Sequence, residues 1–232
     1  MKLGLLGYPI SHSKSPELYK KLLGLNLTSY ELFSFEDKSF IPSLSFFNER
    51  LDGLNITSPF KAHFFNQVIV ESNVVKKLGA INTIAFSSQG FHGTNTDLLA
   101  VLKILKEYKS RYQKIKIILL GDGVMANLSK IVLEELGIPY VQLSRRVHGN
   151  LSECDLSMYH DENFQSIVIN SCSRDFIFKG KLQGNEVFWD YNYSFSPHEN
   201  SLPKRVKSYH DGQELLLIQA QEAVNFWNQH LP

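Results

Sequence analysis

Cysteine is scarce in this sequence. Only Cys154 and Cys172 occur in 232 residues, with no CxxC pair and no Cys/His cluster at zinc spacing, so neither a disulfide framework nor a metal is expected. An excess of charge is also missing: 24 Lys and Arg stand against 23 Asp and Glu, a formal net charge of +1. Such a balance offers no long-range attraction to nucleic acid or to an anionic membrane, so a bound anion must be held by local groups. Long apolar runs are absent too. The run that opens the chain breaks at Gly7 and Pro9, too short for a secretory segment, and nothing elsewhere approaches a membrane span. A reducing, cytoplasmic setting is therefore expected. Neither repeats nor low-complexity segments appear. What remains is ordinary globular composition, 43% hydrophobic and 20% charged, in a length that accommodates two modest domains. An enzyme acting on a small molecule fits this frame.

The most informative stretch is Gly53 to Lys61, GLNITSPFK. Leu54 and Ile56 alternate with polar neighbours as in a short buried strand, and Ser58 with Pro59 predicts a helix start that puts Lys61 in a first turn. There the positive end of the helix dipole would act on the lysine. A lone lysine is most simply a solvated one. Asn55 and Thr57 point elsewhere, because polar side chains at the carboxyl end of a buried strand usually face a ligand crevice.

Upstream, Leu3 to Gly7 reads as a strand, followed by a turn in which Ser15 caps a helix running to about Leu25 with Pro16 at its first position. Ser13 and Ser15 fit either caps or a pair of hydroxyls that hold a ligand. Tyr30 to Phe35 and Leu54 to Thr57 are further strands around a helix at Phe40 to Asn48, a βαβ pattern that implies a parallel sheet. A helix near Val74 to Leu78 follows, then a hairpin through GAINTIAF and FHGTNTD. Asp97 precedes the periodic helix Leu98 to Tyr108 and is either its N-cap or a partner of Lys61. As a pair, Lys61 and Asp97 can exchange a proton with a substrate oxygen. Asn82 adds an amide able to fix a hydroxyl.

The pattern restarts after Asp97. Ile115 to Leu120 is a continuous apolar strand that runs into Gly121, Asp122, Gly123, Val124, Met125 and Ala126 and then an apolar helix to Leu136. This is the GxGxxA form of the dinucleotide fingerprint in its required setting of strand, turn and helix. Asp122 sits awkwardly there, since a carboxylate repels phosphate unless it points away. The strand Tyr140 to Leu143 ends in Ser144, Arg145 and Arg146, where an NAD enzyme usually carries an acidic residue, and two guanidinium groups favour a 2′-phosphate and hence NADP. Val147 to Phe164 shows no strong helical period. Further strands are read at Ser166 to Asn170, Val187 to Tyr191 and Val206 to Tyr209; Asn170 and Ser171 close the first of them, and Cys172 reads as packing because no base is paired with it. In the helix Gln213 to Trp227, Gln219 shares a face with Leu215, Leu216, Ala223 and Phe226 and is either a structural hydrogen-bonder or a ligand contact.

Together PISHSKSP (Pro9 to Pro16), NITSPFK (Asn55 to Lys61), GAINT (Gly79 to Thr83), NTD (Asn95 to Asp97), GDGVMA (Gly121 to Ala126), SRR (Ser144 to Arg146) and DGQELLLIQA (Asp211 to Ala220) resemble the shikimate dehydrogenase family over almost the whole chain. The resemblance implies an α/β fold of two domains: a substrate domain, 1–97 plus 212–232, with a mostly parallel sheet, and a Rossmann-like NADP domain, 98–211, with the C-terminal helix returning to the first. It implies NADP-dependent reduction of 3-dehydroshikimate to shikimate, in a monomer or homodimer, with Lys61 and Asp97 as the catalytic pair. Ser13, Ser15, Thr57, Asn82, Asp97, Tyr193 and Gln219 would bind substrate. The cofactor would lie on Gly121 to Ala126, Ser144, Arg145, Arg146, Asn170 and Ser171, with Gly212 near the nicotinamide.

Departures from the family pattern cluster in the second half. Asp122 and Val124 replace small residues, Ser144-Arg145-Arg146 replaces an Asn-Arg-Thr motif, the helix after it looks missing, and Glu214 replaces a glycine. In the first half, Tyr19 and Lys20 replace a His and an Asn. Two further readings are an NAD-preferring quinate/shikimate dehydrogenase and a catalytically weak shikimate-binding regulatory protein.

Overall fold

The computed structural model describes residues 1–231 and divides into two compact units. One comprises Met1–Ala100 together with the residues from Leu217 onward, and the other is Val101–Leu216.

The first unit is built on a five-stranded sheet in the order β2-β1-β3-β4-β5. Its strands are β1 (Lys2–Gly7), β2 (Ser29–Ser34), β3 (Gly53–Ile56), β4 (Thr83–Ser87) and β5 (Gly90–Thr94). Both β2 and β3 run parallel to β1, whereas β4 and β5 add an antiparallel hairpin. Alternation along the strands sends Leu6, Leu54 and Ile56 into one core with Phe47, Phe60 and Phe64, and Leu3 into another with Tyr19, Ala220, Ala223 and Trp227. Helices α1 (Ser15–Leu23), α2 (Leu44–Asn48) and α3 (Asn73–Leu78) connect the strands. A side chain at Gly53 would overlap the Trp227 ring, so the bare backbone there is what lets the indole reach the sheet and donate to the Ile84 carbonyl at 2.9 Å.

The chain passes to the second unit within α4 (Thr96–Arg111) and comes back within α8 (Gln213–His230). Here the sheet is all parallel, in the order β10-β9-β8-β6-β7. Its strands are β6 (Ile115–Leu120), β7 (Tyr140–Leu143), β8 (Gln165–Asn170), β9 (Val187–Asp190) and β10 (Ser208–His210). Helix α5 (Val124–Glu135) crosses from β6 to β7. The crossover from β7 to β8 is abbreviated to the four-residue α6 (Arg145–His148) and two 3-10 turns at Leu151–Glu153 and Ser157–Tyr159, and α7 (Ser196–Ser201) precedes β10.

Three local expectations give way. No helix begins at Ser58: its peptide bond to Pro59 is cis, and residues 57–64 run as turns, so no helix dipole acts on Lys61. The cap of α1 is not Ser15, which is already helical; the N-cap position is Lys14, and Ser13 Oγ accepts from the Ser15 N–H at 3.2 Å. At α4 the cap is Asn95, whose Oδ1 accepts from the Leu98 N–H at 3.1 Å, leaving Asp97 inside the first turn.

Candidate functional site

Each sheet contains one point at which the chain reverses its direction of travel across the strands. In the first unit it goes from β1 to β2 on one side and then to β3 on the other; in the second it goes from β6 to β7 and then to β8. Loops leaving adjacent parallel strands diverge at such a point, and the crevice outside the carboxyl ends is where open α/β sheets hold ligands. The segments after β1 and β3 carry Ser13, Ser15 at the start of α1, Thr57 and Lys61, and are tied together by the Tyr8 N–H donating to the Ser58 carbonyl at 3.1 Å.

Lys61 is held from both sides. Phe60 and Phe64 are buried in the core, and the Lys61 carbonyl accepts from the Ile81 N–H at 2.8 Å. Its ammonium then donates to Asp97 Oδ2 at 2.7 Å, both side chains being 15% exposed. A carboxylate in the first turn of the sixteen-residue α4 sits at the favourable end of its dipole. The result is a short, charge-assisted bond that solvent reaches only in part.

A buried polar chain backs this pair. The Tyr30 hydroxyl donates to Asn55 Oδ1 at 3.1 Å, Asn55 Nδ2 donates to Thr83 Oγ1 at 3.3 Å, and the Thr83 hydroxyl donates to Asn82 Oδ1 at 3.1 Å. The same Asn82 oxygen accepts from the Thr96 N–H at 2.7 Å. The Thr96 hydroxyl lies 3.2 Å from Asn82 Oδ1 and 3.4 Å from Gln219 Oε1. With its oxygen committed to the chain's own donors, Asn82 keeps its amide N–H groups as the means of meeting a ligand oxygen. Tyr30 is also hydrogen-bonded to Ser15, and burial keeps its hydroxyl protonated far above the usual tyrosine range. The first unit thus brings together Lys61, Asp97, Asn82, Gln219 and, through Tyr30 and Asn55, Ser15. Thr83 and Thr96 are supports that sequence reasoning did not select, although they lie beside selected residues in INT and NTD; Asn55, expected to face a ligand crevice, is buried and bonded within this polar chain instead.

Tyr193 belongs to the second unit, in the loop after β9, where its carbonyl accepts from Arg174 at 2.6 Å. In that unit Gly121 adopts φ +114°, which a side chain would strain, and a Cβ there would also strike Ser171. Gly123, the N-cap of α5, meets nothing within 4 Å, so open space lies over the first turn of a twelve-residue helix. Ser171 Oγ donates to the Leu120 carbonyl at 2.6 Å, and Asn170 Nδ2 donates to Asp190 Oδ1 at 2.9 Å. Gly212 packs against the Tyr191 carbonyl too closely for any side chain.

Beside this turn a cavity of about 440 Å³ is lined by Asp122, Asn127, Lys130, Gln142, Ser144, Arg146, Val147 and His148. Asp122 points toward Arg146, 3.6 Å away, so its charge is offset by a guanidinium. Asn127 and Lys130, one and two turns into α5, are further polar groups of this cavity that sequence reasoning passed over; Lys130 follows Gly123 by seven residues on the helix. Cys172, two residues past the end of β8, has its thiol pushed up to about 11 by burial, which suits packing rather than attack.

A glycine turn at a helix start, open space over Gly123 and a cationic cavity after the second strand make the setting in which an α/β unit can hold a dinucleotide, here following an α/β unit with a paired lysine and aspartate. The profile of the shikimate dehydrogenase substrate binding domain matches residues 5–84. Shikimate dehydrogenase (NADP(+)) of Helicobacter pylori strain P12 is 28% identical over 94% of this chain and 88% of its own, and that of Clostridium botulinum strain Hall is 25% identical over 97% and 95%. Among solved structures, shikimate dehydrogenase from Aquifex aeolicus superimposes with a TM-score of 0.75 at 23% identity, covering 100% of this chain and 94% of its own. The Thermus thermophilus enzyme, in complex with NADP(H) and shikimate, gives 0.72 at 19% identity over 100% and 95%. Over nearly its whole length the chain is thus similar to shikimate dehydrogenases, and its first 84 residues include the match to their substrate binding domain.

Proposed function

We propose that this protein is an NADP-dependent shikimate dehydrogenase, acting in the reducing cytoplasm where its two free thiols persist. The first unit binds shikimate or 3-dehydroshikimate, and the second binds the cofactor. The single observation that carries the reading is the 2.7 Å Lys61–Asp97 bond, held at the switch point of the first sheet by a buried amide and hydroxyl chain.

NADP, when bound, supplies the hydride chemistry. Gly121, Gly123 and the first turn of α5 would hold its pyrophosphate, and Ser144, Arg145, Arg146 and Lys130 its 2′-phosphate; the segment that directly follows β7, residues 144–148, carries no carboxylate of the kind an NAD ribose prefers. Lys61 places a positive charge and a transferable proton at the substrate's reacting oxygen. Asp97 keeps that ammonium oriented and balances its charge, so that developing negative charge on the oxygen is met without reorganisation. Asn82, Gln219, Thr57, Ser13 and Ser15 orient the remaining hydroxyls and carboxylate of the substrate.

The test is to follow reduced nicotinamide absorbance with purified protein, shikimate and NADP, then with NAD and with quinate. Shikimate-dependent reduction of NADP, faster than with any other pairing, is the expected result. Saturable shikimate binding without turnover for any pair would replace this reading by that of a binding protein.

A further inference from the structure

We propose that Glu71, His92 and His230 form a site for a divalent transition-metal ion of the zinc type in the first unit, separate from the Lys61–Asp97 pair. One ligand atom from each of the three side chains lies within 4.8 Å of the other two. A tetrahedral ion with bonds of about 2.0–2.2 Å sets its ligands roughly 3.3–3.6 Å apart, a contraction that calls for rotation of the exposed Glu71 side chain and small adjustments of the two partly buried imidazoles.

The backbone assembles the group from three distant parts of the sequence. His92 lies on β5, the last strand of the sheet, and its neighbours pair with the segment before α3: the Ile69 N–H donates to the Phe91 carbonyl at 2.8 Å and the Gly93 N–H to the Ile69 carbonyl at 2.9 Å. That pairing brings Glu71, two residues on, alongside the strand. The last turn of α8 adds His230, whose ring centroid is 4.5 Å from that of His92.

Two further observations point to a ligand. His92 Nδ1 is buried and has no hydrogen-bond partner, a cost that a metal bond would remove. His230 Nδ1 contacts the Phe226 carbonyl at 2.8 Å, where it must be the protonated donor, so the ring's lone pair sits on Nε2. An imidazole fixed in this way by a backbone carbonyl is the usual arrangement behind a metal-ligating histidine. Two imidazoles and one carboxylate suit zinc rather than magnesium or calcium, which prefer oxygen ligands. Such an ion would clamp the end of α8 to the edge of the sheet. Nothing in this inference depends on the proposed dehydrogenase activity.

The test uses the full untagged chain, stripped with a chelator and titrated with Zn²⁺ in competition with a chromophoric chelator, alongside H230Q and E71Q. One equivalent should bind to the parent chain, raise its melting temperature, and bind roughly tenfold or more weakly to each variant. Co²⁺ in place of zinc should give the visible bands of a four-coordinate site. His230 is half-buried at a helix end, so H230Q should fold, and circular dichroism verifies it. Failure of the parent chain to take up zinc, or undiminished uptake by folded H230Q, overturns the site; the second result would place the metal elsewhere, for instance on Cys154 or Cys172.

Discussion

In the first unit the strand order reverses between β2 and β3, in the second between β7 and β8, and the polar groups at the two reversals are handled differently. Around β1 and β3 the side chains are largely satisfied by one another: Asn55, Asn82, Thr83 and Thr96 are buried, and Lys61 and Asp97 are each 15% exposed. Around β6 and β8 the groups that would meet a ligand are backbone amides and charges open to water, with Arg146 85% and Asp122 43% exposed. A buried network tolerates no missing partner, whereas an exposed charge can be exchanged at little cost. This contrast fits where the chain departs from the pattern of the family it resembles. The motifs around Lys61 and Asp97 are kept, while the glycine turn and the arginine segment vary.

The contrast is tested most severely at Lys61. Lys61→Ala should lower turnover by about 10²–10⁴-fold, the range of a positioned general acid, with shikimate KM changed much less. Steady-state kinetics on a variant that melts like the parent makes the measurement. A rate within a few-fold of the parent would remove Lys61 from the chemistry and leave the pair as a structural clip.

The second unit has a buried polar group of its own. Asp190 and His198 are fully buried; Nδ1 of the histidine bonds Asp190 Oδ2, and Nε2 accepts the Phe178 N–H at 2.8 Å. His198→Ala strips the buried Phe178 N–H of its acceptor and Asp190 Oδ2 of its short partner, while Oδ1 keeps Asn170 and Asn192, and should cost about 3–5 kcal/mol in denaturant unfolding. A loss below about 1 kcal/mol would show that water replaces the ring, and that burial does not separate the two kinds of network.

How far the sequence disclosed this arrangement depends on whether a feature is local. Strands β1, β3, β6 and β8 were legible because a buried run or an alternation lies within one segment. The partnership of Lys61 with Asp97 was legible as a possibility, although through a helix at Ser58 that does not form: serine followed by proline fits a helix start and a turn equally well. The caps at Ser15 and Asp97 were misplaced by one or two residues, since runs such as SHSKSP and NTD offer several acceptors and only backbone dihedrals choose among them. Nothing local marks the Asp122–Arg146 pair, the Asp190–His198 pair or the Glu71, His92 and His230 group. Each is made by tertiary packing between segments whose spacing carries no signature.

Arg146 measures the exposed side of the contrast. Arg146→Gln removes one cation from the cavity beside the glycine turn and should raise the KM for NADP by roughly tenfold, with the KM for NAD nearly unchanged. Stability should stay within about 0.5 kcal/mol, because an exposed ion pair contributes little. An equal effect on both cofactors would mean that Arg146 acts on the common part of the dinucleotide rather than on a 2′-phosphate.

The smallest effect, and the one that changes sign, belongs to Asp122. Its carboxylate lies between two glycines at the start of α5, where an incoming pyrophosphate would collect, and 3.6 Å from the guanidinium proposed to hold the 2′-phosphate. Both interactions oppose cofactor binding: one repels an anion, and the other occupies the cation meant for it. Water screens much of each, since Asp122 is 43% exposed, so the opposition is modest. Asp122→Asn keeps the size and the turn-forming amide while removing the charge, and should lower the KM for NADP a few-fold, about 0.5–1 kcal/mol, at unchanged turnover. The gain should shrink at high salt, as screening removes the repulsion in the parent chain. A rise in KM instead would mean that the aspartate orients Arg146 rather than competing for it, and the double variant with Arg146→Gln isolates the other effect, because any improvement that Asp122→Asn still gives once the arginine is gone is the direct repulsion of the pyrophosphate.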